Sequence, residues 1–127
     1  MRETKLRLES VAIKCAELDK MLEFYTRAFG GEFKAVDIGG MTCHFGQVAG
    51  LTFKLVPGRE STEFKEYPHH QLGFEVDDID AVITIAKECG GTLESEKVTQ
   101  GDVTTGSVRD PDGNTLELSQ RVVVLNV

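Results

Sequence analysis

The chain has 127 residues, 14 of them basic and 21 acidic, which gives a formal net charge of −7. This length suits a single domain over residues 1–127, with a core that buries about two thirds of the unfolded surface. Because no run of Lys or Arg could neutralise several phosphates, nucleic acid is excluded as an expected partner.

The opening residues, MRETKLRLES, lack the apolar segment of a signal peptide, and no stretch approaches the roughly 20 apolar residues that span a bilayer. We therefore expect a cytoplasmic protein that does not contact membranes. The cysteines, Cys15, Cys43 and Cys89, are odd in number and show no C-x-x-C spacing. This pattern favours reduced, mostly buried thiols over disulfides or a zinc site.

The first elements in the chain are a strand, a helix and a glycine stop. Residues 11–15, VAIKC, alternate apolar with polar or small side chains, as a strand does. The spacing of the next apolar positions predicts a helix with one buried face. Gly30 and Gly31 can adopt the left-handed backbone conformation that ends a helix. The apolar helix positions are Leu18, Met21, Leu22, Tyr25 and Phe29.

The same order of elements returns about 60 residues later. Residues 72–76, LGFEV, alternate again, Asp77 and Asp78 offer an N-cap, and a second apolar helix stripe begins at Ile79. Gly90 and Gly91 then end the helix. Val11 aligns with Leu72 at an offset of 61, and Gly30 aligns with Gly90 at an offset of 60. The chain therefore contains two copies of one unit.

Short extended segments with glycine-rich joints follow each glycine pair, which predicts three further strands per unit. The fold class is α+β, with tandem βαβββ modules. Module one covers about 6–57, a polar connector about 58–69, module two about 70–121, and an apolar tail 122–127. Each sheet has one face covered by its helix, so its other face is left to meet something else.

The segment RDPDGNTLELSQ, residues 109–120, predicts a type I turn at 110–113 followed by a strand. Strand alternation sends Leu116 and Leu118 to one face. Glu117 then lies on the opposite, polar face, together with Thr115 and Ser119.

Three segments, FYTRAFGGEF, LGFEVDDID and DPDGNTLEL, resemble the glyoxalase / bleomycin-resistance / extradiol-dioxygenase group, the vicinal oxygen chelate superfamily. The resemblance implies that the two modules form a curled mixed sheet around a central cleft. It also implies a small-molecule ligand and a homodimer. In metal-using members, four strands each contribute one ligand to the cleft floor, and Glu117 matches the last of these ligands.

The family register places the mid-chain ligand at Gln71, and the repeat offset of 61 then gives Ser10. Aligning the segment FKL of module one with the segment LEL of module two, at an offset of 63, makes Lys54 the position equivalent to Glu117. A lysine ammonium has no free lone pair and repels a cation, and Ser and Gln are weak ligands. We therefore expect no cofactor and no catalytic metal, with Lys54 and Glu117 forming an ion pair across the cleft.

Further positions share the cleft side of the strands and are candidate ligand contacts. At Gly73 the missing side chain would let a ligand or another chain approach closely. His44 facing the cleft as an acid, a base or a ligand-binding group is a weaker candidate. The full additional set is Lys14, His44, Thr52, Gly73, Glu75, Thr115 and Ser119.

Two classes of function remain open. The first is a metal-independent protein that sequesters a small molecule in its cleft. The second is an enzyme: either a metal-dependent lyase, isomerase or dioxygenase, or a metal-free one that uses Glu117 and Lys54 as an acid–base pair. If a divalent metal binds, Glu117 and His70 are its expected ligands. That site needs a one-residue strand slip, which would turn Leu72 and Phe74 away from the core.

Overall fold

The computed structural model describes residues 8–58 and 71–121, and these form two successive β-α-β-β-β units, as predicted. The first unit contains β1 (Ser10–Cys15), α1 (Leu18–Arg27), β2 (Glu32–Ile38), β3 (Met41–Val48) and β4 (Leu51–Pro57). The second contains β5 (Leu72–Glu75), α2 (Ile79–Glu88), β6 (Thr92–Gln100), β7 (Val103–Arg109) and β8 (Thr115–Arg121). The apolar tail, most of the connector, and His69 and His70 lie outside the described residues.

The strands form two four-stranded mixed sheets, in the orders β1-β4-β3-β2 and β5-β8-β7-β6. In the first sheet Lys54 lies between Ala12 and Phe45 on the neighbouring strands. In the second sheet Glu117 lies between Gly73 and Ser107. Lys54 and Glu117 therefore occupy equivalent positions in the two sheets, in agreement with the repeat arithmetic.

One hydrophobic core joins the two modules. Alternating residues of the central strands, such as Phe53 on β4 and Leu118 on β8, are fully buried in it together with the apolar stripes of both helices. Cys15 and Cys89 belong to the same cluster, as expected from their apolar positions. Because both helix-covered faces contribute to this core, the opposite face of each sheet is its open face.

Each glycine pair combines two different constraints. Gly90 has φ +90°, a left-handed conformation that the chain needs in order to leave α2. At Gly91 an added Cβ would lie 2.6 Å from the carbonyl oxygen of Arg109 and 2.6 Å from the ring of Phe24. The first glycine thus permits the helix stop, and the second allows the backbone to pack closely against the other module.

Replacing Gly90 with alanine is expected to lower the free energy of unfolding by about 1–2 kcal/mol, because a Cβ is strained at this positive φ. Urea denaturation followed by circular dichroism measures the change. Thr84→Ala, on the exposed side of α2, is the matched control and should shift stability by less than about 0.5 kcal/mol. Equal effects of the two substitutions would contradict the assignment of strain to Gly90.

The turn between β7 and β8 connects the modules through two buried carboxylates. The predicted turn is present: the Gly113 amide donates to the Asp110 carbonyl at 2.8 Å. Asp112 is fully buried, and its carboxylate accepts from the backbone amides of Ala16 at 2.8 Å and Glu17 at 3.1 Å. A turn of module two therefore fixes the backbone that leads into α1 of module one, and its negative charge lies near the positive end of that helix.

Asp110, only 3% exposed, accepts a 2.6 Å hydrogen bond from the hydroxyl of Tyr25 on α1. Burial raises the pKa of the Asp110 carboxyl above its usual value, although hydrogen bonds from Tyr25 and Asn114 oppose the shift. Burial and the neighbouring carboxyl raise the pKa of Tyr25 well above 10.0, so its hydroxyl stays a donor. An aromatic contact between Phe29 and Phe74, with ring centroids 4.9 Å apart, adds to the same junction.

Candidate functional site

A pocket of about 240 Å³ lies on the open face of the second sheet. Its walls come from β6, β7, β8 and the residue before β5, and most of its polar groups are hydroxyls or carboxylates. The lining residues are Gln71, Ser95, Glu96, Val98, Thr105, Gly106, Ser107 and Glu117. All of them belong to the second half of the chain, so the described part of the first module contributes no lining residue.

Glu117 and Gln71, two of the predicted floor residues, do meet in this pocket. The Gln71 amide nitrogen donates to Glu117 Oε2 at 3.4 Å, and both side chains are exposed. Ser107 lies beside Glu117 on the next strand, and its hydroxyl is 2.6 Å from that of Ser95. The pocket therefore offers hydrogen-bond acceptors on its floor and hydroxyl groups along one side.

The expected ion pair between Lys54 and Glu117 is not formed within the chain, and that prediction was wrong for the single chain. Lys54 Nζ lies 3.5 Å from Glu9 Oε1 and 5.3 Å from the ring centroid of Phe45, both in module one. The modules meet through their helix-covered faces, which leaves the two open faces without contact between Lys54 and Glu117. An acid–base pair of these two residues is likewise not assembled within one chain.

His44 does not face the cleft, so the prediction that it could act there as an acid, a base or a ligand-binding group was wrong. It lies opposite Leu55, a fully buried core residue, and so shares the helix-covered face of its sheet. Strand alternation gives the reason, since Phe45 next to it is the partner of Lys54. Cys43, two residues before Phe45, shares the open face instead and is buried there.

The other candidates divide between the two open faces according to their module. Ser10, Lys14 and Thr52 share the face of Lys54. Thr52 accepts a 2.7 Å hydrogen bond from Gln47 on the adjacent strand. The strand register places the second set on the face of Glu117, namely Gly73, Glu75, Thr115 and Ser119.

Thr115 is buried by a polar cluster next to the pocket. Its hydroxyl donates to Glu94 Oε1 at 3.1 Å, and Arg109 forms an ion pair with the same oxygen at 3.0 Å. Glu75 is more exposed and lies 3.9 Å from Arg121. Thr115 therefore supports the end of the open face, whereas Glu117 remains accessible.

The donor set does not fit a divalent metal. Across residues 8–58 and 71–121, no three His, Cys, Asp or Glu side chains are grouped so that they could hold a metal ion. The floor position of module one carries an ammonium, and Gln71 contributes only a neutral amide. The described residues around Glu117 therefore give no basis for a mechanism through a bound metal, and His70, the other expected ligand, lies outside the described residues.

Sequence reasoning missed the hydroxyl wall of the pocket. Two register irregularities in β6, between Leu93 and Ser95 and between Ser95 and Val98, change which side chains point to the open face. Regular alternation cannot anticipate such bulges. The one signal of this wall in the sequence was the hydroxyl-rich segment VTTGSV of β7. Ser107 in this segment lies directly opposite Glu117 once the register is known.

The sequence profile of the Glyoxalase/Bleomycin resistance protein/Dioxygenase superfamily matches residues 7–118. The chain belongs to this superfamily. A search of curated protein sequences found no significant match. The tandem βαβββ architecture is the one that the earlier resemblance implied.

Solved structures of the superfamily share the fold at low sequence identity. A glyoxalase family protein from Bacillus cereus superposes with a TM-score of 0.80 at 17% identity, covering 97% of this chain and 99% of that one. The fosfomycin resistance protein FosX from Mesorhizobium loti gives 0.73 at 14% identity, with 96% and 95% coverage. FosX from Listeria monocytogenes gives 0.70 at 19% identity, with 98% and 97% coverage. Neither helix described here is long and apolar enough to cross a membrane.

Proposed function

We propose that this superfamily member binds a small organic molecule on the open face of its second sheet, without a catalytic metal, and sequesters it unchanged. The observation that carries the proposal is the pocket around Glu117, in which a carboxylate, an amide and hydroxyl groups converge. A few polar groups that converge in a concave site are the usual mark of a ligand site. The cytoplasmic location and the homodimer expected from the sequence stay predictions.

The chemistry of the pocket favours a ligand rich in N–H or O–H donors. Glu96 and Glu117 both line it, and its lining includes no lysine or arginine. A carboxylate binds a charged donor by a charge-assisted hydrogen bond, which is stronger than a neutral one. An ammonium group or several hydroxyl groups would therefore suit the pocket better than an anionic group.

The metal-dependent alternative has no supporting observation among the described residues, because Glu117 and Glu96 are accompanied in the pocket only by an amide and hydroxyls, which are weak ligands for transition metals. The relatives named above include fosfomycin resistance proteins, and the superfamily name includes bleomycin resistance. Bleomycin, which carries amino and hydroxyl groups, is therefore the natural first probe of the pocket, whereas fosfomycin, a phosphonate anion, is expected to bind weakly beside its two carboxylates.

A thermal-shift screen tests the proposal. The probes are bleomycin, fosfomycin, a panel of small amines and polyols, and the chlorides of Zn²⁺, Ni²⁺ and Mn²⁺. We expect a donor-rich organic probe to raise the melting temperature, because a ligand that binds only the folded state stabilises it by mass action. Mass spectrometry of the recovered probe should show no chemical change.

Glu117→Gln should weaken binding of that probe by about tenfold or more, since a hydrogen bond to a charged group contributes roughly 1.5–3 kcal/mol. Glu88→Gln, on the exposed side of α2, is the matched control and should leave the affinity unchanged. Near-stoichiometric metal binding that Glu117→Gln abolishes, or turnover of the probe, would overturn the proposal.

A further inference from the structure

A second pocket lies between the two modules, away from the open face that carries Glu117. Module one contributes the residues after α1 and the turn between β3 and β4, and module two contributes the end of β5 and the start of α2. We call it the junction pocket. Its volume of about 320 Å³ exceeds that of the pocket around Glu117. This volume falls within the roughly 300–1,000 Å³ that is usual for small-molecule sites.

Most of the residues that line the junction pocket are apolar and only partly buried. The rings of Phe29 and Phe74 have centroids 4.9 Å apart, and both residues retain some accessible surface. Val76 and Val82 extend this apolar lining. Because Phe29 belongs to module one and Phe74 to module two, the ring pair exists only in the assembled fold. Aromatic rings bind the apolar body of a ligand, and their faces also attract cations.

The charged groups of the junction pocket are carboxylates. Glu75, Asp77 and Asp78 line it, and none of its described lining residues is a lysine, an arginine or a histidine. Arg121 lies 3.9 Å from Glu75 and offsets at most one of the three charges. The positive end of α2 is already satisfied, because Asp78 is its N-cap and accepts the amide of Ala81 at 3.1 Å. The pocket therefore has an excess of negative charge beside an apolar surface.

Small side chains leave the mouth of the junction pocket open. Ala49, in the turn between β3 and β4, and Ala81, in the first turn of α2, both line the pocket and are exposed. A larger side chain at position 81 would occupy the pocket without displacing a core residue. This position therefore allows the pocket to be filled while the fold and the carboxylates are kept.

We propose that the junction pocket is a second binding site, which takes a small organic cation composed of an ammonium group and an apolar body. The apolar body contacts the Phe29–Phe74 ring pair, and the ammonium group binds the carboxylates through charge-assisted hydrogen bonds. Three carboxylates repel an anion, and a polyol gains nothing from the apolar lining. The preferred ligand thus differs from that of the Glu117 pocket, where hydroxyl groups form one side.

Three probes that differ mainly in charge test this preference: phenethylammonium, phenethyl alcohol and hydrocinnamate. An NMR titration of the isotope-labelled full chain reports both the affinity and the location of each probe. We expect phenethylammonium to shift the amide signals of Phe29, Phe74 and Asp77. It should bind at least about fivefold more tightly than the alcohol, and hydrocinnamate should bind most weakly. Added salt should weaken binding of the ammonium probe alone, because salt screens exposed charges.

Charge removal identifies the groups that bind the ammonium. The double variant Asp77→Asn, Asp78→Asn should weaken phenethylammonium binding by about tenfold and leave phenethyl alcohol binding unchanged. Asparagine is as good an N-cap as aspartate, so α2 is retained. The matched control, Asp19→Asn with Asp102→Asn, makes the same change in net charge at two exposed positions outside the pocket. It should leave the affinity unchanged.

Filling the pocket provides an independent test. Ala81→Phe should abolish binding of both phenethylammonium and phenethyl alcohol, and circular dichroism should show that the variant is folded. Equal affinities for the ammonium and the alcohol, or a dissociation constant for phenethylammonium above about 10 mM, would overturn the proposal. Shifts confined to Ser107 and Glu117 would also overturn it, and they would support the proposed function of the Glu117 pocket instead.

Discussion

Replacing Asp112 with alanine is expected to lower the free energy of unfolding by about 2–4 kcal/mol. The substitution removes a fully buried carboxylate that accepts hydrogen bonds from the backbone amides of Ala16 and Glu17. Both amides would lose their partner, and a buried donor without a partner costs roughly 1–3 kcal/mol. Urea denaturation at a fixed protein concentration measures the difference.

Two further variants separate the contact from a general effect of losing an acid. Asp112→Asn retains one acceptor oxygen and should cost less than alanine, about 1–2 kcal/mol. Asp102→Ala removes an exposed carboxylate from the turn between β6 and β7 and should change stability by less than about 0.5 kcal/mol. If Asp112→Ala were as mild as Asp102→Ala, the inter-module contact would be unimportant for folding.

Replacing Asp110 with asparagine is expected to cost about 2–3 kcal/mol at pH 7. One carboxylate oxygen accepts the amides of Asp112 at 3.0 Å and Asn114 at 2.9 Å, and the other accepts the Tyr25 hydroxyl at 2.6 Å. An asparagine side chain has a single oxygen, so its NH₂ group would face one of these donors. A buried donor left without an acceptor is the source of the cost.

The Asp110 carboxyl also makes the stability of the fold depend on pH, and the direction of its pKa shift gives the sign of this dependence. Its folded-state pKa is raised above the ordinary 3.8 by burial, so the folded protein binds its proton more tightly than the unfolded chain does. The stability that this group contributes is therefore fully present below the unfolded pKa, and it is lost as the pH rises through the folded pKa.

Urea titrations of the wild type and of Asp110→Asn between pH 3 and 7 isolate this contribution, because the variant lacks the titrating group. The stability advantage of the wild type over the variant should decrease as the pH rises and become constant above the folded pKa. An advantage that grows with pH in this window would show that the hydrogen bonds to the carboxylate outweigh its desolvation.

The sequence was sufficient for the repeated architecture because that architecture follows from local chemistry. The strand at Ser10–Cys15, the helix stop at Gly90 and the turn at 110–113 each depend on neighbouring residues alone. The equivalence of Lys54 and Glu117 also followed, since a duplicated unit repeats its strand register. These properties require no knowledge of how the modules pack.

The arrangement of the modules could not be derived in the same way. Whether Lys54 meets Glu117 depends on which faces share the core, and contacts such as Phe29 with Phe74 join residues distant in sequence. The β6 irregularities that bring Ser95 into the pocket are likewise a property of the assembled sheet. The burial of Asp110 and Asp112 was missed because acidic residues in a turn ordinarily face water.

The bond from Asp112 to the amide of Ala16 spans 96 positions along the chain. A ribosome therefore releases α1 long before it adds the carboxylate that fastens the start of this helix. During synthesis the first module therefore lacks this contact until the chain has been extended beyond Asp112. The start of α1 consequently gains this support only after the turn of the second module has been synthesised.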